Sequence, residues 1–277
     1  MSKKILITAD DFGLTRGITD SILEVVDNGP VRMVSILVNG EAVDYALSEY
    51  KKRMAQVALA IHINLTEGKA ILPFSVIPHL VDTHGMFKHS IMGLWGAYLF
   101  GSCRTRAALR HEVRAEMDAQ CAIIRTALGV DTFIVNSHQH VHMIPFVFGE
   151  LITIQRVNAV RIVRENFFMH GVPSLVNIFT RWALAILSRR ATQSARTRGI
   201  RTNDWFVGFL YSGHMNEYIA RSGIACAGTG LIEVLFHPGS ALHEELQEWK
   251  KSRADIDWHY ASERQFEREA LKKLHFD

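Results

Sequence analysis

The sequence predicts an α/β fold with a mainly parallel sheet, because short β-rich runs alternate with amphipathic helical segments along most of the chain. Its 277 residues, of which 48% are hydrophobic, can bury a full core and are close to the usual length of one (β/α) barrel. No repeat, low-complexity segment or linker interrupts the pattern, so we expect a single domain over residues 1–277. The alternation by itself suits both a sheet closed into a barrel and an open, doubly wound sheet.

Each predicted strand is a short run of aliphatic and β-branched residues bounded by turn-forming residues. These runs occupy residues 5–9, 34–38, 57–65, 132–137, 159–163 and 231–236. The predicted helices space their apolar residues at intervals of three and four, as in residues 18–26, which Gly29 and Pro30 bring to an end. Further helices are predicted at residues 42–50, 109–128 and 145–156.

Two regions break this rhythm and are interpreted as insertions, which in a compact domain usually cover a site. Residues 73–106 are rich in glycine and aromatic residues, and residues 167–201 are apolar and then basic. In the second region, residues 175–187 carry Phe179 and Trp182 next to the basic run. We favour a helix packed on the barrel; the alternative is a segment that rests on a membrane surface or contacts a lipid-linked substrate.

Composition excludes several classes of protein. The net charge of +3 reflects 31 basic and 28 acidic residues, an excess too small to predict a nucleic-acid partner. The three scattered cysteines form neither a full disulfide framework nor a CxxC metal pair, and the N-terminus has no apolar run of signal length. The apolar stretch at residues 91–100 is too short to span a bilayer, and Arg181 interrupts the apolar stretch at residues 175–187. We therefore expect a cytoplasmic protein.

Polar side chains stand where several predicted strands end. In a (β/α) barrel these ends meet at one face, which carries the catalytic groups. Four strand ends therefore predict one shared pocket, built from Asp10 and Asp11, from His62, from His138, His140 and His142, and from His237.

An aspartate with two histidines is a common ligand set for a catalytic divalent ion, because three protein ligands leave positions open for water and substrate. Strand alternation would put His138, His140 and His142 on one face, so all three could be ligands. Because neighbouring positions of one strand rarely all reach one ion, we expect one of them to bind it and the others to line the pocket. Asp10 and Asp11 supply both a ligand and a general base, provided that the strand ends there; within a regular strand they would point to opposite faces.

Each of these residues also has a structural alternative. The Asp10–Asp11 pair is compatible with a turn and a helix cap, and His62 with a hydrogen-bonded core histidine. His237 stands before Pro238 and Gly239, a position that is also compatible with a loop histidine. If His237 faces the ion instead, it is suited to protonate a leaving amine.

Four segments resemble the YdjC family, which includes chitooligosaccharide deacetylases and hopanoid-biosynthesis-associated deacetylases. They are TADDFG at residues 8–13, HINLTEG at 62–68, SHQHVH at 137–142 and FHPG at 236–239. The motifs follow the family's order, and the similarity runs from Lys4 to a C-terminal helix at residues 262–274 that contains Arg264 and Glu267. The resemblance implies an irregular (β/α) barrel similar to polysaccharide deacetylases, and an enzyme that hydrolyses the N-acetyl group of a sugar with a metal-bound water.

The resemblance also implies roles for seven residues and an ion. It implies metal ligation by Asp11, His62 and His138, general-base catalysis by Asp10, general-acid catalysis by His237, and substrate contact by Arg161 and Arg164. The implied ion is Mg²⁺ or Zn²⁺, and similar proteins suggest a homodimer. A surface or structural role for the arginine pair is equally compatible with the sequence. The two insertions do not match the chitooligosaccharide enzymes closely, so the sugar is not identified. The alternative functions are metal-dependent hydrolysis of another bond, such as a phosphoester, and sugar binding without turnover.

Overall fold

The computed structural model describes residues 2–169, 175–247, 249 and 256–274. Eight parallel strands form one sheet in the order β6-β5-β4-β3-β2-β1-β8-β7. The strands are β1 (Lys3–Phe12), β2 (Met33–Ile36), β3 (Ala58–Ile63), β4 (Phe133–Ser137), β5 (Val157–Val160), β6 (Arg201–Thr202), β7 (Trp205–Val207) and β8 (Gly230–Phe236).

Helices connect most of the strands and cover the outside of the sheet. They are α1 (Arg16–Asp27), α2 (Val43–Lys51), α3 (Ile91–Phe100), α4 (Cys103–Leu128), α5 (Pro145–Leu151), α6 (Leu175–Arg196), α7 (Glu217–Cys226), α8 (Ile256–Tyr260) and α9 (Ser262–Lys273). A short 3₁₀ segment (His138–Met143) follows β4 directly. Helix α1 shows why such segments form: Thr15 caps its first turn by accepting a hydrogen bond from the backbone N–H of Ile18 at 3.2 Å, and its apolar face is buried against the sheet.

The strand order confirms the irregular barrel and excludes the doubly wound alternative. From β1 to β6 the sheet grows in one direction, whereas a doubly wound sheet reverses direction at a switch point. Strands β6 and β7 are the two edges, and no strand pair joins them among the described residues. Between them, the Asn203 amide accepts a hydrogen bond from Ile162 N at 2.7 Å and donates to Ile162 O at 2.8 Å and to Trp205 O at 2.9 Å. These side-chain hydrogen bonds, together with the backbone bond from Phe206 N to Arg164 O at 2.8 Å, tie the link between β6 and β7 to the residues that follow β5.

All six predicted strands are present within a few residues of their predicted bounds. The two edge strands β6 and β7 were not predicted, because two- and three-residue strands carry no periodic signal. Helix α4 begins six residues earlier than predicted, at Cys103, because the hydroxyl of Ser102 accepts a hydrogen bond from Thr105 N at 3.1 Å and caps the helix there.

Much of the predicted second insertion is the crossover helix α6, which connects β5 to β6. Leu184, Ala191 and Ala195 are buried, and the Ser188 hydroxyl donates to Val163 O at 2.8 Å, so the helix packs on the barrel as favoured. The aromatic residues named in the sequence point outward: Phe179 is 74% exposed and Trp182 is 60% exposed. Residues 170–174 of this region lie outside the described residues. Within the described part of the chain, no helix combines the length and the hydropathy needed to cross a bilayer.

The predicted first insertion contains α3 and the first turn of α4. Its two isolated antiparallel bridges join Lys69 to Met86 and Val81 to Phe87, and Phe87 is buried. Helix α3 packs through Tyr98, whose ring stacks on Phe146 of α5 with centroids 4.0 Å apart. The segment is therefore an ordered layer over one side of the barrel.

Candidate active site

A cleft of about 360 Å³ opens at the carboxyl ends of the strands. This volume lies at the lower end of the range that small-molecule sites occupy. The cleft brings together four of the predicted strand ends, as expected for a (β/α) barrel. Its lining residues are Asp10, Asp11, His62, Ser137, His138, Gln139, His140, Phe209, Ser212, His237 and Trp258.

A bulge at the end of β1 turns both aspartates towards this cleft. The register of β1 against β2 shifts between Ala9 and Phe12, and Asp11 has a φ of +70°. Few non-glycine residues adopt this left-handed conformation, although aspartate is among those that tolerate it. The irregularity breaks the strand alternation, and for this reason two consecutive carboxyl groups reach the same space. The prediction that Asp10 and Asp11 share one face required the strand to end there. Strand β1 instead continues through both residues, and the bulge brings them to the same face.

Asp11, His62 and His138 form a compact and buried group of possible metal ligands. The Asp11 Oδ1 atom lies 3.5 Å from His62 Nε2 and 3.2 Å from His138 Nδ1. The ligand atoms of the three residues all lie within 4.8 Å of one another, which suits a single ion with bonds of about 2.0–2.2 Å.

Each of these three residues also has a second polar atom, which points away from the proposed ion. Each of these outer atoms is hydrogen-bonded to a partner. Arg264 Nη1 donates to Asp11 Oδ2 at 2.8 Å. His62 Nδ1 lies 2.7 Å from the Asn136 carbonyl oxygen Oδ1, and His138 Nε2 lies 2.9 Å from Glu67 Oε2.

Because an acceptor faces the outer nitrogen of each histidine, the proton of a neutral ring stays on that nitrogen. The inner nitrogen then has a lone pair with which to bind an ion. The donor set therefore fits a divalent ion such as Zn²⁺ or Mg²⁺, with the carboxylate broadening the choice towards harder ions.

The charge around His138 also favours a cation. Burial alone would lower the pKa of His138, but the carboxylates of Glu67 and Asp11 outweigh burial and raise this pKa to about 10. The pKa of Asp11 itself is held well below its usual range, because Arg264 and the two histidines outweigh the effect of burial. The metal-free centre thus keeps its carboxylates ionised and holds a proton on His138 between them, and an ion bound at Nδ1 would replace that proton as the positive charge.

Asp10 lies next to this centre and is clamped by Arg161. The guanidinium donates from Nη1 to Asp10 Oδ2 at 2.6 Å and from Nη2 to Asp10 Oδ1 at 2.9 Å, and both residues are buried. Burial would raise the pKa of Asp10, but the charge and hydrogen bonds of Arg161 hold it below its usual range. Arg161 Nε donates to Glu233 Oε1 at 2.7 Å, so the guanidinium is shared between two carboxylates.

His237 also lines the cleft, and its ring faces Trp258 edge-on with centroids 5.7 Å apart. Burial lowers the pKa of His237 to about 4, so the ring is neutral near pH 7. Its backbone N–H donates to Glu267 Oε2 at 2.6 Å, which anchors the turn that presents the ring.

The expected strand alternation of His138, His140 and His142 is wrong. Strand β4 ends at Ser137, and the chain continues as the 3₁₀ segment in which Gln139 and His140 have φ values of 51° and 56°. His140 lines the cleft, and its Nδ1 atom has no hydrogen-bond partner among the described residues. His142 lies behind the cleft: its ring contacts the Ser137 hydroxyl and the backbone oxygen of Arg161, and burial lowers its pKa to about 3.

The two arginines of the predicted substrate segment lie in different places. Arg161 enters the site but spends its donors on Asp10 and Glu233. Arg164 is exposed and does not line the cleft; its guanidinium lies over the ring of Trp205, 4.2 Å from the centroid. The structure therefore places Arg164 on the outer surface, as the structural alternative anticipates.

Comparison with known proteins decides the family. The model of the YdjC-like protein family matches residues 4–276. The chain belongs to the YdjC-like family. Among curated proteins, it is 30% identical over 168 residues to a chitooligosaccharide deacetylase of Salmonella heidelberg (strain SL476), an alignment that covers 60% of this chain and 62% of the relative. A chitooligosaccharide deacetylase of Citrobacter koseri is 29% identical over the same shares. The chain thus spans less than two thirds of the length of the curated relatives that it matches.

A solved structure from Enterococcus faecalis V583, provisionally described as a cellobiose-phosphate cleavage protein, has the same fold. Its TM-score is 0.70 at 22% identity, and the match covers 98% of this YdjC-like chain and 91% of the other.

Several residues of the YdjC-like site were not assigned a role from the sequence, among them Glu67, Asn136, Phe209, Glu233, Trp258, His259 and Arg264. Glu67 stands in the HINLTEG motif, and Arg264 stands in the C-terminal helix noted for its resemblance, so a signal existed for both. Trp258 and His259 lie on the five-residue helix α8, which shows no apolar periodicity and belongs to none of the four motifs. Only the fold brings them to the cleft.

The wall of the cleft that carries Phe209 is held by a buried acid. Glu165 accepts backbone hydrogen bonds from Gly208 at 2.7 Å and from Leu210 at 2.8 Å. Burial, which outweighs these hydrogen bonds, raises the pKa of Glu165 from 4.5 to about 7.

The folded state consequently holds this proton more tightly than the unfolded state, and stability falls as pH rises between about 4.5 and 7. Relative to a Glu165→Gln variant, the free energy of unfolding of the wild type should fall by about 3 kcal/mol across this window. Urea denaturation at several pH values measures this difference. Replacing the exposed Glu244 with glutamine should leave the profile unchanged, and a flat difference for Glu165→Gln would contradict the raised pKa.

Proposed function

We propose that this YdjC-like protein is a metal-dependent N-deacetylase that releases acetate from an acetylated amino sugar. The observation that carries the proposal is the buried group of Asp11, His62 and His138, whose outer atoms are all held by partners, with the carboxylate of Asp10 beside it. The chitooligosaccharide deacetylases among its relatives support the choice of substrate class. Mg²⁺ and Zn²⁺ are the ions that we propose for the site.

An ion held by these three residues would supply electrophilic activation of water and of the acetamide carbonyl. The protein's own contribution begins with Asp10, which accepts a proton from the attacking water as general base. Arg161 keeps Asp10 ionised and fixes both of its oxygens, so that the carboxylate is ready without rearrangement. Asp10 Oδ2 lies 3.8 Å from His62 Nδ1, which keeps the base close to the ligand group.

His237 is proposed to protonate the leaving amine as the carbon–nitrogen bond breaks. Because its pKa is lowered to about 4, the ring must first gain a proton, and negative charge that develops on the substrate raises its pKa at that moment. The ring gains the proton that Asp10 has taken from water and passes it to the amine, so that one proton moves from water to the leaving nitrogen and both residues return to their starting states. The products are acetate and the free amino sugar.

Arg161 serves this reaction as the partner of Asp10 rather than as a substrate contact, since its guanidinium is already bound on both sides. For the sugar we propose the wall formed by His140, Phe209 and Trp258. The aromatic rings suit the apolar face of a sugar, and His140 Nδ1, which has no hydrogen-bond partner among the described residues, suits its hydroxyl groups.

The wider proposal has three further features, which are a cytoplasmic setting, a homodimer and contact with a membrane surface or a lipid-linked substrate. Cys103, Cys121 and Cys226 are free, which supports a reducing, cytoplasmic setting. The homodimer and the membrane-surface or lipid-linked alternative stay predictions.

The test is acetate release from a panel of N-acetylated sugars, free and lipid-linked, by protein stripped of metal and then reloaded with Zn²⁺ or Mg²⁺. We expect release from at least one sugar, only after reloading. Stoichiometric metal binding without release across the panel would argue for hydrolysis of another bond, such as a phosphoester. Sugar binding without any turnover would identify a binding protein.

A further inference from the structure

Glu67 lies directly behind His138 and is saturated with hydrogen bonds. Its Oε2 atom contacts His138 Nε2 at 2.9 Å and His259 Nε2 at 3.2 Å, and its Oε1 atom accepts from Gln139 Nε2 at 2.6 Å. Only 3% of Glu67 is exposed. Since one carboxylate oxygen accepts from two imidazole rings, neither ring can turn without breaking a buried, charge-assisted hydrogen bond.

The backbone of Glu67 is itself fixed. Its N–H donates to Asn64 Oδ1 at 3.2 Å, and its carbonyl oxygen accepts from Asn64 Nδ2 at 2.7 Å. Asn64 is held in turn by Gln120 of α4, which bonds the Asn64 backbone N–H at 3.0 Å and carbonyl at 2.7 Å. The carboxylate therefore stands at a set position relative to the barrel, which a positioning group requires.

His259 connects this carboxylate to the cleft wall. It is fully buried on helix α8, next to Trp258, which lines the cleft. The contacts run without interruption from His138 through Glu67 to His259, so that the ligand group and the α8 wall share one chain of hydrogen bonds.

We propose that Glu67 and His259 are positioning residues of the metal centre. Glu67 holds His138 with Nδ1 turned towards Asp11 and His62, and His259 ties this arrangement to α8. The inference rests on the ligand set of the proposed function and adds two residues to it. It predicts that His138 binds the ion through Nδ1, with its Nε2 proton donated to Glu67.

A second arrangement of the same side chains is geometrically available, because Glu67, His138 and His259 also lie close enough together to hold an ion. The geometry points to the first arrangement. There, all three ligands have their outer atoms held, as metal-binding histidines generally do. In the second set, the outer nitrogen of His259, Nδ1, has no partner in the part of the chain that the structure describes.

The decisive measurement is Zn²⁺ affinity by isothermal titration calorimetry for the wild type, Glu67→Gln and His259→Gln. The Glu67→Gln substitution puts an amide N–H₂ group in contact with the N–H donors that surround the Glu67 carboxylate. It should weaken Zn²⁺ binding by about 10–100-fold, the usual effect of losing the hydrogen-bond partner of a metal ligand. His259→Gln should weaken it by up to about 10-fold. The chain offers a matched control in His79 and Glu112, the same kind of hydrogen-bonded pair away from the cleft. His79→Gln should leave Zn²⁺ affinity unchanged.

A spectroscopic measurement separates positioning from a general loss of stability. In the Co²⁺-loaded protein, the ring N–H protons of His62 and His138 should appear as two strongly shifted, exchangeable proton resonances. In Glu67→Gln the His138 resonance should move and exchange faster with solvent, while the His62 resonance is retained. If Glu67→Gln does not fold, the same comparison is made on His259→Gln.

Three results would overturn the inference. Unchanged affinity and unchanged resonances in both variants would remove the positioning role. Complete loss of binding in both variants, with tight binding retained in Asp11→Asn, would instead make Glu67, His138 and His259 the ligands. A His138 resonance assigned to Nδ1–H would show coordination through the other nitrogen. The proposed function fails separately: a wild type that binds Zn²⁺ tightly but releases no acetate loses the deacetylase assignment while the affinity comparison still stands.

Discussion

Replacing Asp11 with asparagine should weaken Zn²⁺ binding by more than about 100-fold, more than the loss of a group that only supports a ligand. Acetate release should fall below detection at Zn²⁺ concentrations that saturate the wild type. The reason is local: Asp11 Oδ1 is the only carboxylate atom in the proposed ligand set, and the amide is a far weaker ligand. Calorimetric titration measures the affinity, and tight binding by the variant would contradict the assignment of Asp11 as a ligand.

The same substitution should also destabilise the metal-free protein. Arg264 is fully buried, with Nη1 bound to Asp11 Oδ2 and Nε bound to the Gly239 carbonyl at 2.6 Å. Asparagine removes the charge that compensates this guanidinium, a change that costs about 3–5 kcal/mol for a buried pair.

A double variant, Asp11→Asn with Arg264→Met, separates the two effects. It should recover part of the free energy of unfolding in urea without recovering Zn²⁺ affinity. Equal stability of the single and double variants would show that Arg264 does not depend on the charge of Asp11.

The sequence predicts one shared pocket because residues at strand ends must converge in a parallel barrel, and the family resemblance then proposes Asp11, His62 and His138 as its ligands. It could not predict how Asp10 and Asp11 share one face, since this depends on a bulge and a left-handed Asp11 that local pattern does not encode. The same limit explains why His142 lies behind the cleft, whereas His140 lines it as expected. Strand alternation was extended beyond Ser137, where the chain in fact turns into a 3₁₀ segment.

The partners of the ligands were missed for a different reason. Arg264 and His259 come to the site from the last helices, more than a hundred residues after His138, so only tertiary structure relates them. The substrate contact expected of Arg161 stays a prediction, but a sequence cannot show that this guanidinium is bound by Asp10 and Glu233. Polar residues at predicted strand ends thus indicate the proposed ligands better than they indicate the groups that hold them.

Asp10→Asn should lower kcat by about 10²–10⁴-fold, the usual contribution of a general base, while Zn²⁺ affinity stays within a few-fold of the wild type. Asparagine has nearly the same shape and can still accept a hydrogen bond from Arg161, but it cannot take a proton from water. Arg161 keeps the charge of Glu233 beside it, so the fold should tolerate the change better than it tolerates Asp11→Asn.

The matched control for Asp10 is Glu233→Gln, which alters the other carboxylate on the same guanidinium without touching the cleft lining named above. This variant should lose some stability but keep kcat within about 10-fold of the wild type, because the proton acceptor is still present. The measurements are initial rates of acetate release and calorimetric Zn²⁺ titration on the same preparations. If Asp10→Asn turned over at the wild-type rate, or if both variants lost activity equally, the base would have to be sought elsewhere in the cleft and Asp10 would serve only to hold Arg161.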